Sequence, residues 1–267
     1  MMKNPIGVFD SGIGGLTVLR EITRLLPGEN TIYLGDTARV PYGSKSKETI
    51  ERYSFEVASF LMRHDIKFLV AACNTASALA VPKLTLKLGI PVLGVIEPGA
   101  KAAVSATRNK RIGVIGTEGT IRSGAYASAI KMIDPSVETF VRACPLFVPL
   151  VEEGWNEDDV TMLVAERYLN GLKAAEVDTL VLGCTHYPLL KDIISKVMGA
   201  SVRLIDSAEA TAVEVKRILS EKALLNSGAN TSHSFFVTDS PERFLAVGRR
   251  FYGEGLERAE LANIEGL

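Results

Sequence analysis

The chain has 267 residues, of which 47% are hydrophobic and 23% are charged, and its formal net charge is −1. This composition is that of a globular protein with enough apolar material for a core, and the length fits one large domain or two moderate ones. The near balance of 30 basic and 31 acidic residues argues against nucleic acid or an anionic membrane as a partner.

The N-terminal residues and the apolar runs carry no export signal. A charged region, a long apolar stretch and a small-residue cleavage site are all missing from the start, so we expect no signal peptide. The longest apolar runs, such as residues 68–73, are too short to cross a bilayer. Cys73, Cys144 and Cys184 are widely spaced, which fits a reducing compartment. The sequence therefore predicts a soluble, cytoplasmic protein without a disulfide framework.

Short β-rich runs alternate with longer helical patterns along the chain. The predicted strands, most of them apolar on both faces, are residues 6–9, 31–34, 68–72, 92–95, 112–115, 138–141, 179–182, 202–205 and 235–238. The predicted helices are residues 16–25, 47–63, 76–88, 123–133, 158–172, 189–197, 208–219 and 241–251. Continuous apolar strands that alternate with helices are typical of buried parallel sheets, so we predict an α/β fold of the doubly wound type.

Three segments of the first half of the chain have counterparts in the second half at a nearly constant distance. The matching pairs are residues 6–9 with 112–115, residues 68–75 with 179–186, and residues 96–97 with 205–206. Their offsets are 106, 111 and 109 residues. Repetition of this kind predicts two related half-domains.

The repeated segments also predict where the chain divides and where it binds a ligand. We place the boundary near Pro98 and expect the segment after Ser207 to return to the first half. The first domain then comprises residues 1–97 and 208–267, and the second comprises residues 98–207. In each half a cysteine, Cys73 or Cys184, follows the carboxyl end of an apolar strand, which is the edge where open α/β sheets bind ligands. Two facing halves would place one thiol on each side of a single cleft.

The sequence excludes several of the functions that two opposed thiols could have. Each thiol precedes small polar residues and a predicted helix, a position at which the helix dipole favours the thiolate. A disulfide is disfavoured in a reducing compartment, and the Cys-x-x-Cys spacing of redox dithiols is absent. Cys184 and His186 supply only two of the about four ligands that zinc requires. Proton transfer remains, because one thiolate can remove a proton from a carbon while the opposite thiol returns one to the other face. Cys144 lacks this context, and we interpret it as structural.

Other polar residues at predicted turns rank below the cysteines on spacing alone. The turn of residues 10–15 misses the Gly-x-Gly-x-x-Gly spacing because position 17 is Thr17, so it favours a small anion over a dinucleotide. Asp10 in this turn is equally compatible with a helix N-cap. Ordinary structural roles fit the remaining candidates just as well, namely Tyr42, residues 116–120, Glu152, Glu153 and His186.

As a set, these motifs resemble the glutamate racemases of the aspartate/glutamate racemase family. The matching strings follow the family's order along the chain at residues 8–16, 35–36, 40–43, 72–76, 94–99, 116–120, 149–152 and 182–189. The resemblance implies two similar α/β domains related by a pseudo-twofold axis, with the active site in the cleft between them. It also implies interconversion of L- and D-glutamate without a cofactor or metal, supply of D-glutamate for bacterial peptidoglycan, and a homodimer.

The resemblance assigns roles to individual residues. The catalytic residues that it implies are Cys73 and Asp10 for one face of the substrate, and Cys184, His186 and Glu152 for the other. Glu153 lies next to Glu152 and is the alternative candidate for the catalytic carboxylate on the Cys184 side. The positions that match the family's substrate-binding residues are Asp10, Ser11, Tyr42, Gly43, Asn74, Thr75, Thr117, Thr120, Thr185 and His186.

Three other functions remain open at this point. An aspartate or hydantoin racemase shares the two-cysteine arrangement and the fold. A two-lobed protein that binds an acidic amino acid without turning it over would bind glutamate and exchange no α-proton. A thiol redox or metal-binding protein would respond to an oxidant or a chelator.

Overall fold

The structure, a computed structural model, describes residues 4–226 and 231–267, and its strands form two parallel sheets. The strands are β1 (Ile6–Asp10), β2 (Thr31–Gly35), β3 (Phe68–Ala71), β4 (Val92–Gly94), β5 (Arg111–Gly116), β6 (Glu138–Ala143), β7 (Thr179–Gly183), β8 (Arg203–Asp206), β9 (His233–Val237) and β10 (Glu260–Leu261). The helices are α1 (Leu16–Leu25), α2 (Lys47–Met62), α3 (Asn74–Leu79), α4 (Val81–Lys87), α5 (Ile96–Ala106), α6 (Glu118–Arg122), α7 (Ala125–Ile133), α8 (Phe147–Glu152), α9 (Asp159–Ala174), α10 (Lys191–Met198), α11 (Ser207–Glu221) and α12 (Pro241–Tyr252). Short 3-10 turns lie at Thr37–Arg39, Tyr42–Ser44 and Tyr187–Leu190.

The two sheets confirm the predicted fold class. The first has the strand order β10-β9-β2-β1-β3-β4 and the second has the order β6-β5-β7-β8, and all paired strands are parallel. Strands β1, β2, β3 and β7 are buried along their whole length, as their continuous apolar sequences predict. Because parallel strands end at the same edge of a sheet, β1 and β3 deliver Asp10 and Cys73 to one edge, while β7 delivers Cys184 to another.

The chain returns to the first sheet after it completes the second. Strand β9 pairs with β2, and β10 pairs with β9. Helix α11 packs against both α1 and α5, and α12 packs against α1. One buried apolar cluster joins residues of both halves, such as Val8 and Leu16 with Leu180 and Leu190. The domain boundaries themselves stay a prediction, and residues 1–3 and 227–230 of the predicted first domain lie outside the described residues.

Proline explains two differences between the predicted and observed helices. The predicted helix of residues 76–88 is two helices, α3 and α4, because Pro82 can stand only in the first turn of a helix. Helix α5 escaped prediction because Pro98 and Gly99 in its first turn suggest a loop. The predicted boundary near Pro98 therefore falls inside a helix. Among the described residues, no helix has both the length and the apolar character needed to cross a membrane.

Candidate active site

A cavity of about 450 Å³ lies where the carboxyl edges of the two sheets meet. The predicted site residues that line it are Ser11, Tyr42, Gly43, Cys73, Asn74, Thr75, Thr117, Glu152, Cys184, Thr185 and His186. Asp10 and Thr120 do not line it, and they lie buried behind its wall. Cys144 is outside the lining as well. The residues of two distant halves of the sequence thus meet around one small space.

The first thiol, Cys73, stands at the N-cap position of α3 and is almost completely buried. Its Sγ lies 3.7 Å from Ser11 Oγ. Burial raises the pKa of Cys73 to about 12, the negative charge of Asp10 adds to the rise, and hydrogen bonds with Ala76 and Ser11 only partly offset it. The expectation that the helix N-terminus lowers this pKa is wrong, because one short helix does not outweigh desolvation and a neighbouring carboxylate.

Asp10 is the last residue of β1, and its charge acts on both Cys73 and His186. Its Oδ2 accepts a hydrogen bond of 2.9 Å from the amide of Gly12, and its Oδ1 lies 3.4 Å from the hydroxyl of Thr185. Burial raises the pKa of Asp10, while His186 and these hydrogen-bond donors act in the opposite direction. Asp10 therefore links the turn after β1 to the turn after β7.

The second thiol, Cys184, directly follows β7 and has a different set of neighbours. Its Sγ lies 3.9 Å from His186 Nδ1, and His186 Nε2 lies 3.1 Å from Glu152 Oε1. Burial lowers the pKa of His186, but its hydrogen bonds to Cys184 and Glu152 and the charges of Cys184 and Asp10 outweigh burial and raise the pKa to about 10. The hydrogen bond from His186 lowers the pKa of Glu152. His186 thus connects the second thiol to Glu152.

The same geometry separates Glu152 from Glu153. Glu152 lies at the end of α8, lines the cavity and pairs with His186. Glu153 is exposed and is not part of the lining. The imidazole is further held by Phe251 of α12, whose ring packs edge-on against it with centroids 5.4 Å apart.

Three threonine hydroxyls form a cluster at the floor of the cavity. Thr75 Oγ1 lies 2.9 Å from Thr117 Oγ1 and 3.2 Å from Thr120 Oγ1, and the last two are 3.1 Å apart. Thr117 also caps α6, because its side chain accepts a hydrogen bond from the amide of Thr120. Thr120 thus supports the two threonines that reach the cavity.

The turn after β1 depends on a glycine for its close approach to the second half. A Cβ at Gly14 would lie 2.2 Å from Thr185 Oγ1 and 2.6 Å from His186 Nδ1, so only glycine fits there. Gly14 therefore allows the turn after β1 to approach the turn after β7 closely.

Several residues of the cavity, and one that supports it, have no role assigned from the sequence, although most of them lie in the strings that resemble the family. The missed lining residues are Gly12, Val40, Pro41, Ser44, Glu118, Pro145, Val148 and Pro149. Asp36 is fully buried and accepts a hydrogen bond of 2.5 Å from the hydroxyl of Tyr42. The missed signal for Asp36 was its position directly after β2, which is the position that Asp10 has after β1. The Val40–Pro41 peptide bond beside Tyr42 is cis.

These contacts define a site for acid/base chemistry with one free thiol in each wall. Cys73 and Cys184 are unbonded to each other, and each has its own ionisable partner. Among residues 4–226 and 231–267, no group of three or more His, Cys, Asp or Glu side chains is arranged to hold a metal ion.

Comparison with known proteins agrees with this architecture. The sequence model described as Asp/Glu/Hydantoin racemase matches residues 6–215. The glutamate racemase of Geobacter metallireducens is 61% identical over 249 residues, which cover 93% of this chain and 92% of that protein. That of Neisseria meningitidis serogroup A is 51% identical over 264 residues, which cover 98% and 97%.

Solved structures are similar over the whole chain. A glutamate racemase isoform of Bacillus anthracis superposes with a TM-score of 0.93 at 42% identity and covers 98% of this chain and 97% of its own. The glutamate racemase of Francisella tularensis in complex with D-glutamate has a TM-score of 0.94 at 38% identity and covers all of both chains.

Fold and site together define an isomerase, specifically an amino-acid racemase. The chain belongs to the aspartate, glutamate and hydantoin racemase family, and among the members of that family it is similar to the glutamate racemases.

Proposed function

We propose that this racemase interconverts L- and D-glutamate, without a cofactor, by proton transfer at two opposed thiols. The observation that carries the proposal is that Cys73 and Cys184 line one cavity from different sheets, each beside its own acid/base partner. Enantiomers differ only in the face of the α-carbon that holds the proton, so one group is needed on each face.

We assign different starting roles to the two thiols because their neighbours differ. At neutral pH Cys73 carries its proton, because its pKa is raised to about 12. Cys184 has His186 as a neighbouring acid/base group, so we assign Cys184 as the base and Cys73 as the acid in one direction. In the reverse direction Cys73 must lose its proton, and the ammonium group of the substrate is the charge that lowers its pKa. Asp10 assists Cys73, while His186 and Glu152 assist Cys184.

The remaining polar residues of the cavity bind the substrate. Carboxylates accept hydrogen bonds only, so they require donors such as hydroxyls and amides. The residues to which we assign this role are Ser11, Tyr42, Gly43, Asn74, Thr75, Thr117, Thr120 and Thr185. Thr120 acts through Thr75 and Thr117, since it lies behind them. Preorganised donors at the α-carboxylate also stabilise the carbanion that forms when the proton leaves.

Glutamate is the substrate best supported by the relatives. The structure from Francisella tularensis holds D-glutamate, and one from Escherichia coli, at 29% identity and a TM-score of 0.78, holds L-glutamate and the activator UDP-MurNAc-ala. We infer further that the product D-glutamate supplies peptidoglycan synthesis in the cytoplasm and that the enzyme works as a homodimer. We also propose that it divides into residues 1–97 with 208–267 and residues 98–207, since each set supplies one sheet.

The test is exchange of the α-proton in heavy water with L- and D-glutamate as separate substrates. We expect deuterium at the α-carbon of both enantiomers and optical rotation that decays to zero from either side. L-aspartate and a hydantoin serve as comparison substrates, and faster turnover of either one would reassign the specificity. Tight binding of glutamate without any deuterium incorporation would reduce the protein to an amino-acid binding module.

A further inference from the structure

Asn74 has an unusual hydrogen-bonding state for a buried residue. Its side chain is 2% exposed and forms part of the cavity wall. Its Oδ1 accepts a hydrogen bond of 2.7 Å from the hydroxyl of Tyr126, whereas its Nδ2 has no partner among the described residues. A buried amide nitrogen without a partner destabilises a protein. The two N–H donors of Asn74 are thus left over for a group that enters the cavity.

Tyr126 comes from the opposite half of the molecule. It lies on α7, which packs against α5, while Asn74 begins α3 at the edge of the first sheet. Its side chain is 2% exposed and sits in a tight slot, since a Cβ at either Gly99 or Gly183 would lie 3.1 Å from it. The phenol therefore has little freedom to move away from Asn74.

Ser207 is the second hydrogen-bond partner of the Tyr126 phenol. The Ser207 side chain, itself 4% exposed, hydrogen-bonds to Tyr126. The phenol hydroxyl donates to Asn74 Oδ1, which can only accept, so the Ser207 hydroxyl is the donor in its bond with the phenol oxygen. Because a phenol has a single proton, Tyr126 donates one of these two bonds and accepts the other. A flipped amide would require both hydrogen bonds to reverse, with Asn74 Nδ2 donating to the phenol and the phenol donating to Ser207.

We propose that Tyr126, oriented by Ser207, is a positioning residue that fixes the Asn74 amide with both N–H donors free for a carboxylate of the substrate. The donor chain runs from Ser207 to Tyr126 to Asn74 and crosses from one half of the molecule to the other. This inference rests on the proposed function, because it names the group that orients one of the substrate's ligands. Neither Tyr126 nor Ser207 lines the cavity, so both act through Asn74.

The first experiment is steady-state racemisation by Tyr126→Phe, which keeps the ring and removes only the hydroxyl. The amide of Asn74 can then flip, and its oxygen would face a carboxylate. We expect KM for L- and D-glutamate to rise about tenfold, the size of effect of one hydrogen bond to a charged group, while kcat stays within about threefold. Tyr252→Phe is the matched control, since it removes a partly buried phenol hydroxyl that is not part of the cavity lining, and its KM should equal that of the wild type.

A double-mutant cycle separates positioning from a merely structural role. In an Asn74→Ala background the amide is gone, so Tyr126→Phe should change KM by less than about twofold. Ser207→Ala leaves Tyr126 in place and should raise KM about threefold, again only when Asn74 is present. It therefore decides the matter even if Tyr126→Phe fails to fold.

Failure of this inference can be distinguished from failure of the proposed function. An unchanged KM in Tyr126→Phe, or an equal rise in the presence and absence of Asn74, would overturn the inference while glutamate racemisation by the wild type stands. Absence of racemisation by the wild type would remove the proposed function instead.

Discussion

At the scale of single residues, the cavity holds two identical side chains in unlike electrostatic surroundings. Cys73 faces a buried carboxylate that disfavours its ionisation, and Cys184 faces an imidazole that is protonated at neutral pH. The repeated sequence segments suggest symmetry, but the neighbouring groups are not repeated: an aspartate lies near one thiol and a histidine–glutamate pair lies beside the other. The proposed acid and base roles follow from this difference.

Replacement of either thiol tests the proposed proton transfer. Serine is a far weaker acid than cysteine, so Cys73→Ser and Cys184→Ser should each lower the racemisation rate at least about a hundredfold, within the range that positioned acids and bases contribute. Polarimetry measures the loss, and deuterium incorporation shows whether the remaining thiol still exchanges the proton on its own face. Cys144→Ala is the control, because this buried cysteine lies outside the cavity and should leave racemisation intact. Wild-type rates in both serine variants would rule out the mechanism.

The raised pKa of His186 makes the stability of the protein depend on pH. Because the pKa is about 10 in the folded protein and 6.5 ordinarily, the folded state binds the extra proton between these values. The free energy of unfolding should therefore fall as the pH rises from 6.5 to 10. Cys73, with a pKa raised from 9.0 to about 12, adds a further fall only above pH 9.0.

Urea titrations at several pH values measure this dependence. His186→Asn should flatten the curve between pH 6.5 and 9.0 and leave the fall at higher pH. A variant with the same slope as the wild type in the lower range would show that another group is responsible.

At the scale of secondary-structure elements, the last long helix reaches from the first half to Glu152, the proposed partner of His186 in the second. Arg250 of α12 lies 3.4 Å from the carbonyl oxygens of Val151 and Glu152 at the end of α8. Arg243 of the same helix lies 3.8 Å from Glu152 Oε2. A positive side chain at a helix C-terminus stabilises that end of the helix. Helix α12 thereby holds the element that positions Glu152.

Removal of the Arg250 side chain should loosen the end of α8. We expect Arg250→Ala to lower kcat about threefold and stability by about 0.5 kcal/mol, since the contacts are long and partly exposed to solvent. Arg249→Ala is the matched control: the neighbouring arginine contacts Leu256 O and does not reach α8. Equal effects of the two substitutions on kcat would indicate a general weakening of α12.

Elements with strong local patterns were predictable from the sequence, and those with mixed signals were not. Helix α1 was predicted with its observed bounds, and the buried strands within two residues, because apolar runs and amphipathic periods are local properties. Helix α5 was missed because Pro98 and Gly99 resemble a loop, and β10 because two residues carry no pattern.

Some residues of the candidate site were likewise predictable from the sequence, and others were not. The cysteines were found from their matching positions after strands. Asp36, Tyr126 and Arg250 were not found, because they act through contacts between segments far apart in sequence, which no local pattern records.

At the scale of the whole molecule, a buried ion pair binds the segment that follows α11 to the first sheet. Lys67 Nζ lies 2.6 Å from Glu29 Oε2 and 2.5 Å from Leu224 O, and Glu29 Oε1 accepts a hydrogen bond of 2.7 Å from the amide of Asn226. Both side chains are less than a tenth exposed. The segment after α11 is therefore tied to the start of β3 and to the loop before β2.

Loss of one partner from this pair should be costly. Lys67→Met leaves the Glu29 carboxylate buried without its counter-ion, and we expect a loss of about 3–5 kcal/mol in urea unfolding. A second substitution, Glu29→Leu, should restore at least half of that loss, because two apolar side chains leave no unpaired charge. Lys101→Met, which breaks an exposed ion pair with Glu214, should change stability by less than about 1 kcal/mol. If the double variant is less stable than the single one, the pair contributes more than charge compensation.

The unlike walls of the cavity have a thermodynamic consequence for the proposed reaction. Mirror-image molecules have equal free energies in water, so the equilibrium constant between them is one, whatever the catalyst. The enzyme is not its own mirror image, and its turnover numbers for the two directions are free to differ. The ratio of turnover number to Michaelis constant must nevertheless be the same for both enantiomers. A higher turnover number for one enantiomer therefore requires a proportionally higher Michaelis constant for that enantiomer.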